Sequence, residues 1–161
     1  MTVTNVHKDP EAKTLTVTAE FDAPVERVWQ LWADPRLLER WWGPPTYPAT
    51  VVDHDLCVGG RVSYFMTGPE GDRHDGWWRV LQVDPPKTLE IEDGFSDADG
   101  VPNQTMPVSR MHVGLTERDG GGTRVRIRTT FASQEQMEQL IEMGMEEGLQ
   151  AAMSQMDALV A

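Results

Sequence analysis

A carboxylate at Asp93, a phenol at Tyr64 and an amide at Gln82 are the groups that give this chain scope for chemistry. Each lies in a stretch of alternating side chains: Val62, Tyr64 and Met66; Trp78, Val80 and Gln82; Leu89, Ile91, Asp93 and Phe95. In a strand such alternation puts all three polar groups on the apolar side, facing an interior. A carboxylate held there has its proton affinity raised by desolvation and can act as an acid or a base. Asp93 and Tyr64 are therefore the weak catalytic candidates. The plainer account of Asp93 is a strand-end carboxylate at the rim, in water. His74 and His112 stand alone in sequence and read as surface or hydrogen-bonded strand histidines, with His112 pointing away from Met111. His54-x-x-Cys57 has ligand spacing, but no two further ligands stand out, so no metal is expected. Cys57, between Leu56 and Val58, reads as a structural thiol rather than a nucleophile. No Gly-x-Ser-x-Gly, P-loop or dinucleotide fingerprint occurs, and no cofactor is expected.

The elements that must position these groups follow from periodicity. Residues 1 to about 12 are polar and read as a loose arm or a frayed strand. Leu15, Val17, Ala19 and Phe21 alternate with Thr14, Thr16, Thr18 and Glu20, a strand with one buried face. Asp22-Ala23-Pro24 and Asp34-Pro35 are helix starts, and the prolines after Trp42-Gly43 end the second helix. Two short helices are expected between about 24 and 42. Strand candidates then follow at 48–54, 61–66, 74–83, 89–95, 106–117 and 123–132. An acidic loop over about 94–104 is the candidate lid. Asp119-Gly120-Gly121-Gly122 is a hairpin turn, and Val125, Ile127, Thr129 and Phe131 alternate with three arginines after it.

One long helix is expected from Ser133 to Ala161, opened by a Ser133/Gln136 capping box and about 40 Å long. Met137, Ile141, Met145, Leu149, Met153 and Val160 form its apolar stripe, with glutamates opposite. Gly144 and Gly148 inside it cost about 1 kcal/mol each against alanine, which implies either close contact with a sheet or room for a guest. Runs of adjacent strands joined by short turns imply an antiparallel sheet. The simplest packing curls that sheet around the last helix, giving an α+β domain over 1–161 with no internal repeat or linker.

With 161 residues and a formal charge of −12, the chain has a sizeable core and little to offer phosphate backbones or anionic membranes. Nucleic acid and membrane are not expected partners. The tryptophan pairs at 41–42 and 77–78 read as core and rim packing rather than as a stacking platform. One cysteine excludes an internal disulfide. No secretory or membrane segment is read, which makes a cytoplasmic protein the default expectation.

Phe21-Asp22-Ala23-Pro24-Val25-Glu26-Arg27-Val28-Trp29, Asp34-Pro35 and Arg40-Trp41-Trp42-Gly43-Pro44 resemble the opening of a known family. It is the family named for the activator of the heat-shock-protein ATPase, in the START-like, helix-grip superfamily also labelled SRPBCC. The likeness continues through Val58-Gly59-Gly60-Arg61, Gly68-Pro69-Glu70-Gly71, Val80 to Pro86, Gly121-Gly122-Thr123-Arg124 and Gly144 to Leu159. The resemblance implies a curved seven-stranded antiparallel sheet gripping a long C-terminal helix, with two short helices after strand 1. It also implies an elongated cavity of the kind that holds lipids, sterols, polyketides or other apolar molecules. Cys57, Glu20 and Leu149 depart from it, standing where arginine, a basic residue and tryptophan are usual. The missing tryptophan leaves extra space between helix and sheet.

The leading expectation is non-catalytic binding of an apolar small molecule. Its pocket wall would be Tyr64, Met66, Trp78, Phe95, Met106, Met111, Phe131, Met137, Ile141 and Met145. The alternatives are a cyclase, dehydratase or hydrolase-like enzyme using the same cavity, and a protein partner in chaperone-ATPase activation, suggested by the family name. Ligand identity and homodimerisation stay open.

Overall fold

The computed structural model describes residues 2–97, 101–103 and 105–160. Eight strands form one antiparallel sheet: β1 (Thr2–Asp9), β2 (Thr14–Phe21), β3 (Ala49–His54), β4 (Arg61–Thr67), β5 (Arg73–Asp84), β6 (Thr88–Ser96), β7 (Ser109–Glu117) and β8 (Thr123–Thr130). Their order across the sheet is β1-β2-β8-β7-β6-β5-β4-β3. Helices α1 (Val25–Ala33) and α2 (Pro35–Trp41) follow β2, and α3 (Gln134–Glu142), α4 (Met145–Met153) and α5 (Asp157–Val160) close the chain. This is the helix-grip arrangement.

Three features differ from the sequence reading. Of the two readings of the first residues, a loose arm or a frayed strand, residues 2–9 take the strand, paired at the sheet edge, so the sheet has eight strands, not seven. Polar side chains did not prevent pairing, because a strand needs only backbone partners. Val3 and Val6 also pack on the core, and Lys8 Nζ bonds Glu146 of α4 at 3.1 Å.

The terminal helix is not continuous. It stops at Met143, turns through Gly144 at φ 92° and restarts at Met145. Gly144 is thus the left-handed junction between two helices, a conformation open to glycine at little cost. Ser133 accepts the Gln136 amide at 3.1 Å and caps α3 as expected, whereas the Gln136 side-chain oxygen is buried without a partner among the described residues. Lastly, part of the candidate lid over 94–104 belongs to β6, Ser96 bridges to Pro102, and residues 98–100 and 104 lie outside the described set.

The sheet's buried face follows the alternation closely. Val125 and Ile127 of β8 face in while Arg124, Arg126 and Arg128 face out. Bulges at Val3/Asn5, Val51/Asp53 and Val80/Gln82 interrupt the ladders, and such bulges bend and twist a sheet. The main core joins the sheet to α1, α2, α4 and α5 through Val28, Trp32, Trp41, Leu149, Met153 and Val160. A second cluster of Leu15, Phe131, Met137 and Leu140 ties α3 to the other end of the sheet.

Candidate functional site

Members of both clusters line a cavity of about 470 Å³ beneath the α3–α4 junction. Its floor is Tyr64 and Met66 of β4, Asp93, Gly94 and Phe95 of β6, and Ser109 and Met111 of β7. The roof is Leu140, Met143, Gly144, Met145, Gly148 and Leu149; Trp42, Pro44, Tyr47, His74 and Pro107 complete the wall. An added Cβ on Gly148 would meet nothing within 4 Å, so this glycine borders open space rather than a tight backbone contact.

The polar centre of the cavity is a pair. The Tyr64 hydroxyl donates to Asp93 Oδ1 at 3.0 Å. Burial pushes the Asp93 carboxyl up to about 7, with the Tyr64 hydrogen bond acting in the opposite direction. The Tyr64 phenol is held well above its usual value, first by burial and then by the Asp93 charge. Near neutrality the carboxyl therefore titrates while the phenol keeps its proton.

Two strand glycines shape this pair. Gly76 faces Tyr64 across the β4–β5 ladder, and a Cβ there would run into the Tyr64 ring. The tyrosine lies across that bare backbone. In the same way Gly94 is covered by Trp77, whose indole donates to the Phe95 carbonyl at 3.0 Å. Behind Tyr64 runs a chain of edge-to-face contacts, Trp42 to Trp78 at 4.8 Å, Trp42 to Trp41 at 5.5 Å and Trp41 to Trp32 at 5.2 Å. Trp41 donates to the Leu31 carbonyl at 2.8 Å, while Trp32 and Trp78 bury their N–H groups without partners among the described residues.

The family described as "Activator of Hsp90 ATPase homolog 1-like protein" matches residues 22–161, most of the chain and every wall of the cavity. The chain belongs to this family. Among solved structures, this member of the Hsp90-activator-homologue family is similar to protein Ms6760 from Mycobacterium smegmatis. Identity there is 52%, with a TM-score of 0.91 over 99% of this chain and 97% of that one. A protein from Arthrobacter aurescens is 49% identical, with a TM-score of 0.94 over 99% and 92% of the two chains. One from Staphylococcus epidermidis is 27% identical, with a TM-score of 0.84 over 97% and 93%. No curated protein matches. The family's fold suggests a ligand-binding or binding-domain role for this member, and among the described residues no helix is long and apolar enough to cross a membrane.

Of the residues expected at the pocket, the structure of this family member brings together Tyr64, Met66, Phe95, Met111 and Met145 around Asp93. It places the other five elsewhere. Trp78 is fully buried behind Trp42, and Met106 borders a surface groove with Arg73 and Asn103. Phe131, Met137 and Ile141 belong to the second cluster. Helix periodicity put Met137 and Met145 on one stripe; of the two only Met145 lines the cavity, although both belong with the second cluster.

Asp93 lies three residues before the end of β6, in the last pair of its ladder with β7, and is half-buried. Gln82 does not face the interior. The bulge at Val80/Gln82 breaks the alternation, and the side chain is exposed. His74 stands at the cavity mouth against Asp72 at 3.2 Å and the Tyr47 ring at 5.6 Å. His54 bonds the Trp32 carbonyl at 2.9 Å. Cys57 is exposed and bonds Asp55, whose acceptance of that hydrogen bond raises the thiol above its ordinary value, the opposite of an activated nucleophile. Among the described residues no group of three or more acidic, histidine or cysteine side chains could hold a metal.

Trp42, Tyr47, Ser109, Leu140 and Leu149 line the cavity although the expected pocket wall did not include them. Loop residues such as Trp42 and Tyr47 carry no periodicity to betray their direction. Gly76 and Gly94, isolated glycines inside strands, were a legible signal of close aromatic approach. Leu149 stands where the resemblance leads one to expect tryptophan, and it lines the cavity.

Proposed function

We propose that this protein binds an apolar small molecule, of the lipid, sterol, polyketide or aromatic class, between its sheet and the α3–α4 junction. The observation that carries the reading is the cavity itself. About 470 Å³ falls within the roughly 300–1,000 Å³ typical of small-molecule sites. Its wall is chiefly methionine, leucine and aromatic side chains, with a few polar groups to orient a guest. Methionines such as Met66, Met111, Met143 and Met145 adapt to guests of different outline.

The test is a panel of lipids, sterols and aromatic polyketides read by native mass spectrometry and thermal shift, on wild type and Met145→Trp. Met145→Trp fills the cavity, so retained affinity in that variant would place the guest elsewhere. A second reading is favoured by Asp93 alone. A carboxyl that titrates near 7 beside a phenol suits proton transfer to or from a guest held in a largely apolar cavity. Under that reading Tyr64→Phe and Asp93→Asn abolish turnover and leave the binding of a neutral guest in place.

A further inference from the structure

We propose that the guest carries a protonated amine at its inner end, held as an ion pair by Asp93. The inference rests on the cavity reading above and adds the chemistry of the guest's polar group. Its starting point is an imbalance of charge. Asp93 points its carboxylate into an apolar cavity, where the Tyr64 hydroxyl donates to Oδ1 and none of the ion pairs among the described residues includes it. Among the described residues no lysine or arginine lines the cavity. His74, a further wall residue able to carry charge, stands at the mouth and faces Asp72.

An anionic guest such as a fatty acid would bring a second carboxylate beside the first, with no cation to hold it. A neutral hydroxyl would satisfy the hydrogen bond yet leave the carboxylate's charge desolvated. An ammonium group does both. It donates to Asp93 and neutralises it, while the chain or ring behind it covers Met66, Met111, Met145 and Leu149. The surrounding field points the same way, because a net charge of −12 draws cations toward the molecule and repels anions.

The groups packed around Asp93 define how binding depends on pH. Tyr64 faces it from β4, Trp78 from β5 and Ser109 from β7, while Tyr47 and His74 border the mouth. The roof from Leu140 to Leu149 adds no charged wall residue. The Tyr64 and Tyr47 phenols are both held above their usual values, and Trp78 and Ser109 do not titrate in the working range. Asp93, which titrates near 7, must be ionised to hold an ammonium group. An alkylamine, protonated up to about pH 10, therefore displaces a proton from the carboxyl. Its affinity should rise more than tenfold between about pH 5.5 and 8, in step with the ionised fraction.

Octylamine, octanol and octanoate share one chain and differ only at the head, and isothermal titration calorimetry of the three on the full chain tests the proposal. The expected result is octylamine at least tenfold tighter than octanoate at pH 7.5, with proton release at pH 6.5 read from buffers of different ionisation enthalpy. In Asp93→Asn both the preference and the proton release disappear, while octanol binding persists. Equal or tighter octanoate binding overturns the proposal and leaves the cavity reading standing, as does an amine preference or proton release that survives Asp93→Asn. Failure of all three ligands on wild type, or unchanged affinities in Met145→Trp, removes the cavity reading and the proposal together. Should Asp93→Asn not fold, the wild-type protein decides alone: octylamine binding without proton release at pH 6.5 overturns the proposal.

Discussion

At the scale of the residue, Asp93 is a group whose placement costs stability. Its carboxyl is raised from 3.8 to about 7 by burial, so between those values the folded chain holds a proton that the unfolded chain has released. Stability from this group is therefore greatest below about pH 4 and falls as pH rises through 7. Asp93→Asn should remove that loss while keeping an oxygen for the Tyr64 hydroxyl. We expect the variant to be more stable than wild type by a few kcal/mol at pH 8, a gain that is smaller at pH 5 and vanishes below about pH 4, in urea unfolding followed at pH 8 and pH 5. A gain that is the same at both pH values would mean that the carboxyl titrates normally. Tyr64 depends in turn on Gly76. Gly76→Ala pushes a methyl group into the tyrosine ring, and strain of this kind costs about 1–3 kcal/mol. With the Tyr64 hydrogen bond lost, the Asp93 carboxyl should titrate above 7, measured by carbon-detected NMR of the aspartate side chains.

At the scale of the element, the terminal helix shows how two similar glycines serve different ends. Gly144 has φ 92°, and an added Cβ would meet nothing within 4 Å, so the cost of Gly144→Ala is conformational rather than steric. About 1–2 kcal/mol is expected. Gly148 has ordinary helical backbone inside α4 and equally open surroundings. Gly148→Ala should therefore stabilise the protein by about 0.5–1 kcal/mol while narrowing the cavity. Thermal melts of the two variants should move in opposite directions, and movement in the same direction would refute the helix break. Both glycines were visible in the sequence, as was the apolar stripe they interrupt. Helical spacing continues through a left-handed residue without a signal of its own, so Gly144 read as an expensive interior position rather than as a junction. The edge strand was obscure for a related reason. The 2–9 segment, Thr-Val-Thr-Asn-Val-His-Lys-Asp, has few apolar side chains to display alternation, and its pairing rests on backbone bonds to β2.

At the scale of the molecule, the cavity exists because two apolar clusters approach each other without merging. The main core takes Leu149, Ala152 and Met153 of α4, while Met137 and Leu140 of α3 sit with Leu15 and Phe131. The helix break lies over the gap, and Met145 just past it still packs against the second cluster. Filling the gap should favour the empty protein. Met145→Trp is expected to keep or raise the melting temperature and to weaken guest binding by tenfold or more, about 1.4 kcal/mol. Calorimetry and melting on the same preparation check both halves of that statement. A large loss of stability would show the gap to be closed in solution.

The sequence by itself determined the antiparallel sheet, the paired short helices, the terminal apolar stripe and the inward lean of Tyr64 and Asp93. These follow from local periodicity and turn chemistry, which need no knowledge of distant residues. Tertiary structure decided what periodicity cannot encode: the bulge that turns Gln82 outward, the left-handed turn at Gly144, and the convergence of Trp42, Tyr64, Asp93 and Leu149 on one space. A cavity is a failure of packing between elements remote in sequence, and its volume depends on how their surfaces meet rather than on the pattern of any one of them.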